Sequence, residues 1–554
     1  MRILRFFLCC SLFPVLLIAG STRQSHPPKL VLSIVVDQMR ADYVDRFADL
    51  YVGGFKRLVT EGADFTNCNY IHCPTYTAPG HSTVLSGILP AVSGIVGNNW
   101  FDVRRRTSVY CVEDSTVHAV GVDPSDAAGM RSPRNFSGTT VGDALIASSP
   151  ESKVIAIAIK DRASILPGGQ HPTGAYWFDG ASGKWITSSY YRDSLPAWVN
   201  ELNERRLPES YLGKVWTKLL PESAYARQGK DDAKGEGLIP GDSTVTFPHP
   251  LHDLGKAPFN RPGRRFDAIF PSPFGNDLTV AAAEAAIRGE RLGQRGVTDL
   301  LSISFSSPDY CGHTFGPDSY EVEDMYVRLD RQLGALFAYI DSTIGLANTV
   351  ITLTGDHGVS PLPEKFPGEA RRVNARDFFS TLRTRIGQEY GYDEGKEHLL
   401  MSFMNDEVYL DYDAIKAHGF DPQKFERSVG ETAMGEPGVV RYFTRTELLK
   451  SIAEGGSSDH DQSCIEHSFY PPRSGGVVIL LRPHWFFGGR TGTTHGTPYE
   501  YDTHVPFLAA GQGIRQGRYA SACSPNDISA TLAKLLGLPK PQNCAGTART
   551  EALK

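Results

Sequence analysis

Beyond its N-terminus the sequence has no apolar run approaching the roughly 20 residues that a membrane-spanning helix needs, so no stable membrane span is expected in the mature chain. It also lacks an excess of basic charge. With 56 Lys and Arg against 62 Asp and Glu the formal charge is -6, whereas a domain that binds nucleic acid by neutralising phosphates carries a basic face. No nucleic-acid partner is expected. None of the nine cysteines forms a Cys-x-x-Cys pair, which argues against a structural zinc knuckle. Internal repeats and long low-complexity tracts are missing too, which leaves a globular chain. At 554 residues, 41% hydrophobic and 21% charged, it has enough apolar surface for one large core with insertions.

Arg2 and Arg5 precede an apolar run from Phe6 to Ala19, and Ala19, Gly20 and Ser21 are small. This pattern predicts a secretory signal peptide over residues 1–21 and a periplasmic or secreted mature chain from residue 22 to 554. The bland alternative is an uncleaved anchor. Cys9 and Cys10 would leave with the leader, and seven cysteines remain: Cys68, Cys73, Cys111, Cys311, Cys464, Cys523 and Cys544. An odd number leaves at least one thiol unpaired in an oxidising compartment, and the pairing is not readable from sequence.

The recurring feature is an apolar strand that ends in a polar residue. Leu30 to Val36 ends at Asp37, and Val154 to Ile159 ends at Lys160. Leu300 to Phe305 leads to Asp309, and Val350 to Leu353 leads to Asp356. Continuous apolar runs suit strands buried on both faces. Between them, Ser319 to Ile340 places Val322, Met325, Leu329, Leu333, Leu336 and Ile340 on one helical face. The alternation predicts an α/β fold, a three-layer sandwich with a mostly parallel central sheet. Ligands in such sheets bind beyond the carboxyl ends of the strands, where these polar residues stand. Two stretches break the rhythm, at about 177–271 and 361–483, and are read as insertions forming a cap or rim.

Zinc accepts carboxylate and imidazole ligands, and a two-metal site needs several of them. Asp309 and His313 are four apart, Asp356 and His357 are adjacent, and His495 lies in a glycine- and threonine-rich loop. An isolated Asp-His pair is usually a loop feature, but the joint placement after strands raises its weight. Thr77 opens the turn Thr77-Ala78-Pro79-Gly80 before a small-residue run. Alone it reads as a helix cap, because a threonine hydroxyl needs a base or a metal to become a nucleophile. If the strand continues past Ile159, Lys160 and Arg162 point to one side while Asp161 turns away, making a clamp for a doubly charged phosphoryl group. The bland alternative is a solvated charged loop.

In order along the chain, Asp37, Thr77 in TAPGH, Asn98 in GIVGNNW, Lys160 and Arg162 in KDR, Asp309 and His313 in DYCGH, Asp356 and His357 in GDHG, and His495 in GTTHGT resemble the alkaline phosphatase superfamily. The resemblance is greatest to PafA-type bacterial alkaline phosphatases that use threonine. It implies two Zn2+ per chain: one on Asp309, His313 and His495, the other on Asp37, Asp356 and His357 with Thr77 facing it. It further implies a covalent phosphothreonine on Thr77, with Asn98 donating to a phosphoryl oxygen and Asn99 the less favoured donor.

A monoester carries one more anionic oxygen than a diester, so Lys160 and Arg162 favour phosphate monoesters as substrates. Related phosphodiesterases and nucleotide pyrophosphatases lack this pair, and such an activity is the runner-up. An exported phosphate-binding protein without turnover is the third reading. The Cys-x-Pro-x-Arg motif of sulfatases is replaced here by Thr77-Ala78-Pro79-Gly80-His81, and Cys73 is not that nucleophile. His81 and His504 are expected to be structural or to support ligands, Asp459, His460 and Asp461 to form an exposed loop, and Trp100 and Trp177 to be core or rim aromatics. A monomer is expected.

Overall fold

The computed structural model describes residues 26–554; the leader expected at residues 1–21 lies outside them. Ten strands form the central sheet: β1 (Leu30–Val36), β2 (Ala63–Phe65), β3 (Ala119–Val120), β4 (Val154–Ala158), β5 (Gly174–Asp179), β6 (Lys184–Ser188), β7 (Asp299–Phe305), β8 (Thr349–Gly355), β9 (Phe507–Gly511) and β10 (Gly517–Tyr519). Their order is β10-β2-β9-β8-β1-β7-β4-β5-β6-β3. The middle five, β8 to β5, are parallel, and antiparallel strands flank them.

Side chains alternate across a strand, and the core divides accordingly. Leu30, Leu32, Ile34 and Val36 join one apolar cluster, while Val31 and Val35 join another on the opposite face. The first face is covered by α4 (Pro273–Glu290) and α6 (Tyr320–Thr343), the second by α1 (Thr77–Val84), α2 (Val141–Ser148) and α7 (Asn526–Leu536). This is the expected helix, sheet and helix layering. Helix α6 follows the predicted apolar face, with Met325, Leu329, Leu333, Leu336 and Ile340 all 0% exposed. Each such side chain contributes about 1.5–3 kcal/mol by leaving water. Ser319 caps α6 by accepting from Val322 N–H.

Register brings the strand ends to one level. Val36 pairs with Phe305 on one side and Gly355 on the other. The next residues, Asp37, Ser306 and Asp356, therefore leave the sheet side by side.

The first insertion begins later than the composition suggested. Trp177 lies in β5, paired with Ala158, and β6 also belongs to the central sheet. The aromatic and glycine-rich stretch was misleading because an edge hairpin of the core carries the aromatics. Beyond it, Trp198, Trp216 and Phe266 pack into the main core. Residues 361–483 instead hold a four-stranded sheet, Leu400–Met404, Glu407–Leu410, Val439–Thr444 and Val477–Leu481. Its helices close over a separate apolar cluster that includes Phe378, Leu382, Phe425 and Val429. All seven cysteines downstream of the leader are free thiols.

Candidate metal centre and nucleophile

At the carboxyl end of the parallel strands, Asp37 and Asp356 are fully buried. Both oxygens of Asp37 and Oδ2 of Asp356 lack a hydrogen bond of good geometry among the described residues. Burial, with Asp356 next, pushes the Asp37 carboxyl well above the usual range. Two buried carboxylates repel by about 4 kcal/mol at 4 Å even at an effective dielectric of 20, so the pair calls for a cation.

Helix α5 (Ser307–Phe315) places Asp309 and His313 one turn apart. His313 Nε2 lies 3.2 Å and His495 Nε2 3.7 Å from Asp309 Oδ1. His357 Nε2 lies 3.6 Å from Asp37 Oδ1 and 3.3 Å from Asp356 Oδ2. The three imidazoles share one arrangement. His313 Nδ1 is 2.7 Å from the Thr493 carbonyl, His357 Nδ1 2.9 Å from that of Gly358, and His495 Nδ1 2.7 Å from that of Thr75. A carbonyl only accepts, so each Nδ1 carries the hydrogen and each Nε2 turns its lone pair toward the carboxylates. Burial lowers the pKa of His357 and His495, which keeps them neutral and ligand-competent. His357 and His495 also stack, with ring centroids 3.5 Å apart, joining the two halves of the centre.

Asp309, His313 and His495 form one group whose ligand atoms lie within 4.8 Å of one another, and Asp37 meets that limit with Asp309 and His357, and with Asp356 and His81. The six Asp and His candidates read from the sequence thus converge, and the mixed oxygen and nitrogen donor set with orphaned carboxylate oxygens fits divalent metal ions. His81 stands closer than expected. Its Nδ1 is 2.9 Å from the Thr77 carbonyl and 3.1 Å from Asp356 Oδ2, and its Nε2 is 2.8 Å from Ser304 Oγ. With both nitrogens engaged, it holds Asp356 and the start of α1 in place.

Thr77 is the first residue of α1, buried, with Oγ1 3.5 Å from His357 Nε2. Gly80 lets the helix approach this close. A β-carbon there would meet the Asp356 carbonyl oxygen at 2.1 Å. Asn98 Oδ1 accepts from Ala78 N–H at 2.9 Å, so its NH2 is the group left for a ligand at the helix start.

Lys160 and Arg162 are placed by a helix start and not by the strand alternation assumed above. The strand stops at Ala158, Lys160 is the N-cap of α3 (Asp161–Gly168), and Arg162 lies in that helix's first turn. Lys160 Nζ is 2.5 Å from Asp309 Oδ2, 2.7 Å from Asp37 Oδ2 and 5.0 Å from the Tyr310 ring. Burial disfavours its charge, but Asp309 and Asp37 outweigh burial and raise its pKa. Arg162 donates to Tyr110 Oη at 3.1 Å, while its Nε is buried without a partner among the described residues.

Gln38 is a site residue that the sequence reading missed. It adopts a left-handed φ of 64°, its N–H donates to Asp356 Oδ1 at 2.9 Å, and its Nε2 donates to Asp309 Oδ1 at 2.9 Å. One residue thereby orients a carboxylate in each half. Gly312 makes room for it, since a β-carbon there would stand 1.9 Å from Gln38 Oε1. Only adjacency to Asp37 could have flagged it.

His504, Trp100 and Trp177 fall where expected, whereas Asp459, His460 and Asp461 start a helix instead of forming the expected loop. His504 Nε2 is 3.0 Å from the Thr66 carbonyl. Asp459 caps the helix His460–Glu466 and pairs with Arg441 at 2.7 Å, and Asp461 joins it at 3.3 Å. Trp100 and Trp177 are buried, Asn99 opens a hairpin strand, and the Cys73 thiol is directed at the Gly496 carbonyl at 3.2 Å.

Comparison with known proteins shows the family. Residues 31–505 match the family model of type I phosphodiesterase / nucleotide pyrophosphatase. Alkaline phosphatase PhoV of Synechococcus elongatus is 38% identical over 95% of this chain and 93% of its own length. Alkaline phosphatase PafA of Elizabethkingia meningoseptica is 36% identical over 97% of this chain and 96% of its own. The crystal structure of wild-type PafA superposes with a TM-score of 0.88, covering 96% of this chain and 99% of that one. With most of its length matched at this identity and its strand-end residues converged on one centre, the chain belongs to the type I phosphodiesterase / nucleotide pyrophosphatase family of the alkaline phosphatase superfamily, in the branch that holds the PafA-type enzymes.

Proposed function

We propose that the chain is an exported alkaline phosphatase that hydrolyses phosphate monoesters through a covalent phosphothreonine on Thr77. The observation that carries the reading is the shared orientation of His313, His357 and His495, each Nδ1 tied to a carbonyl and each Nε2 turned to Asp37, Asp309 or Asp356. Asp309, His313 and His495 would hold one Zn2+; Asp37, Asp356 and His357, with Thr77 beside them, would hold the second. When bound, the zinc pair supplies positive charge that lowers the pKa of a hydroxyl and stabilises a leaving oxygen.

The residues of the chain account for the rest. The start of α1 fixes Thr77 Oγ1 next to His357, and Asn98 caps the same helix turn while offering its NH2 to a non-bridging oxygen. Thr77 Oγ1 bonds to phosphorus as the ester oxygen departs opposite it. Water then cleaves the phosphothreonine, and inorganic phosphate leaves with net retention at phosphorus. Lys160 and Arg162 neutralise the extra anionic oxygen of a monoester, a term worth little for a diester, whose second substituent is uncharged.

The export reading rests on the leader pattern at residues 1–21; among the described residues no helix is long and apolar enough to cross a membrane. The direct test is elemental analysis of the purified protein together with a panel of phosphomonoesters, phosphodiesters and sulfate esters. Two zinc atoms per chain and a preference for monoesters are expected. A preference for diesters would move the assignment to the phosphodiesterases of the family, and ligand release without turnover would make the protein a binder.

A further inference from the structure

The strand pair at one edge of the central sheet continues past its named ends. β2 and β10 pair in parallel as far as Phe65 and Tyr519, and further along the same two segments Cys68 and Cys523 form a parallel bridge of their own. Cys523 N–H donates to the Asn67 carbonyl at 3.0 Å, and the Cys523 carbonyl accepts from Asn69 N–H at 2.9 Å. The two bonds bracket Cys68 and set it directly opposite Cys523. Neighbouring strands lie about 4.7–4.9 Å apart, inside the roughly 4.4–6.8 Å between α-carbons that a disulfide requires. Opposed residues of a parallel pair turn their side chains to one face, and both cysteines belong to the apolar cluster that holds Phe65 and Phe507.

Cys68 is 0% and Cys523 8% exposed. Burial, with the Cys523 thiol next, pushes the Cys68 thiol well above its usual range. A second pair of cysteines is close in backbone but aimed apart. Cys73 N–H donates to the Cys464 carbonyl at 3.0 Å, yet Cys73 Sγ faces the Gly496 carbonyl at 3.2 Å and Cys464 Sγ lies 3.9 Å from His460 Nε2.

We propose that Cys68 and Cys523 form a disulfide when the chain folds in the presence of a disulfide oxidant such as glutathione disulfide. Cys523, the more exposed thiol, attacks one sulfur of the oxidant as its thiolate and displaces one thiol. The Cys68 thiolate then attacks Cys523 Sγ in the mixed disulfide and displaces the second. Two S–H groups give one S–S bond, and the oxidant takes up both electrons and both protons as two thiols. Because burial disfavours the Cys68 thiolate, closure precedes the sealing of the apolar cluster. The bond has a structural task. It fastens β10, an edge strand of 3 residues, and the start of α7, where Asn526 Nδ2 donates to the Gly87 carbonyl at 2.9 Å and Ser529 Oγ to the Leu85 carbonyl at 3.0 Å. Those carbonyls follow the end of α1, the helix that begins with Thr77.

The test produces the full chain in cells with an oxidising thiol pool, blocks free thiols with iodoacetamide in denaturant, and digests the protein without reductant for mass spectrometry. A peptide pair joined through Cys68 and Cys523 is expected, with Cys73 and Cys464 alkylated. A phosphine reductant should abolish the joined pair and lower Tm. In Cys68→Ala and in Cys523→Ala the remaining partner should be alkylated and Tm should no longer respond to the reductant; if neither variant folds, the wild-type peptide map decides. Alkylation of both Cys68 and Cys523 in the wild type, or a bond from either to another cysteine, would overturn the proposal. Zinc content and turnover of the same sample report separately on the catalytic centre, so failure of the disulfide is distinguished from failure of the phosphatase reading.

Discussion

Lys160 Nζ lies 2.5 Å from Asp309 Oδ2, so the ammonium proposed to meet a substrate oxygen is also the neighbour of a proposed metal ligand. Ligand geometry and phosphoryl recognition share one contact. Lys160 is held there by its N-cap position, where its own N–H donates to Ser306 Oγ at 3.2 Å.

Removing the clamp should change the substrate preference rather than the metal content. In Lys160→Ala, Arg162→Ala protein, kcat/KM for a monoester should fall by on the order of 10² or more, as for loss of preorganised donors to a charged oxygen. Diester hydrolysis should fall much less. Parallel steady-state kinetics on one ester of each kind measures this, and an equal fall for both would remove the monoester argument.

Gln38→Ala should weaken metal binding although Gln38 is assigned to no ion. Its two donors orient Asp356 and Asp309, and loss of such supporting hydrogen bonds costs about 10–100-fold in metal affinity or activity. Competition with a zinc-binding indicator measures the affinity. A variant with wild-type zinc affinity and turnover would show that the two carboxylates need no such support.

Acidification should strip metal from both halves of the centre. Burial disfavours the charged form of His313, yet Asp309 outweighs it and raises the His313 pKa, and burial, with Asp356 next, raises that of Asp37. A raised pKa means that protons begin to compete with zinc at higher pH, and each half contains one such group, so zinc affinity declines at both as pH falls. Zinc retained after dialysis at stepped pH should fall from two atoms per chain to none. Zinc content unchanged through the range in which carboxylate and imidazole ligands take up protons would contradict the assignment.

Much of this was legible in the sequence because strand ends have a simple signature. Asp37 directly follows an apolar run, Asp356 directly follows the strand Thr349–Gly355, and one register aligns them. Gln38 was not legible, since glutamine carries no metal-binding pattern and its role depends on a left-handed backbone that only the fold reveals. Lys160 and Arg162 were grouped on strand alternation, but the strand ends at Ala158 and a helix start takes over their placement. Trp177 misled because apolar aromatics in a glycine-rich context occur equally in an edge hairpin and in an insertion.

The central claim is that Thr77 carries the phosphoryl group. The zinc-loaded enzyme, mixed with excess phosphomonoester and quenched in acid within the first turnovers, should yield a peptide containing Thr77 with one added phosphoryl group by mass spectrometry, and Thr77→Ala should lose both that label and most activity while keeping its zinc. A phosphoryl group on another residue, or a Thr77→Ala variant with near-normal turnover, would contradict it.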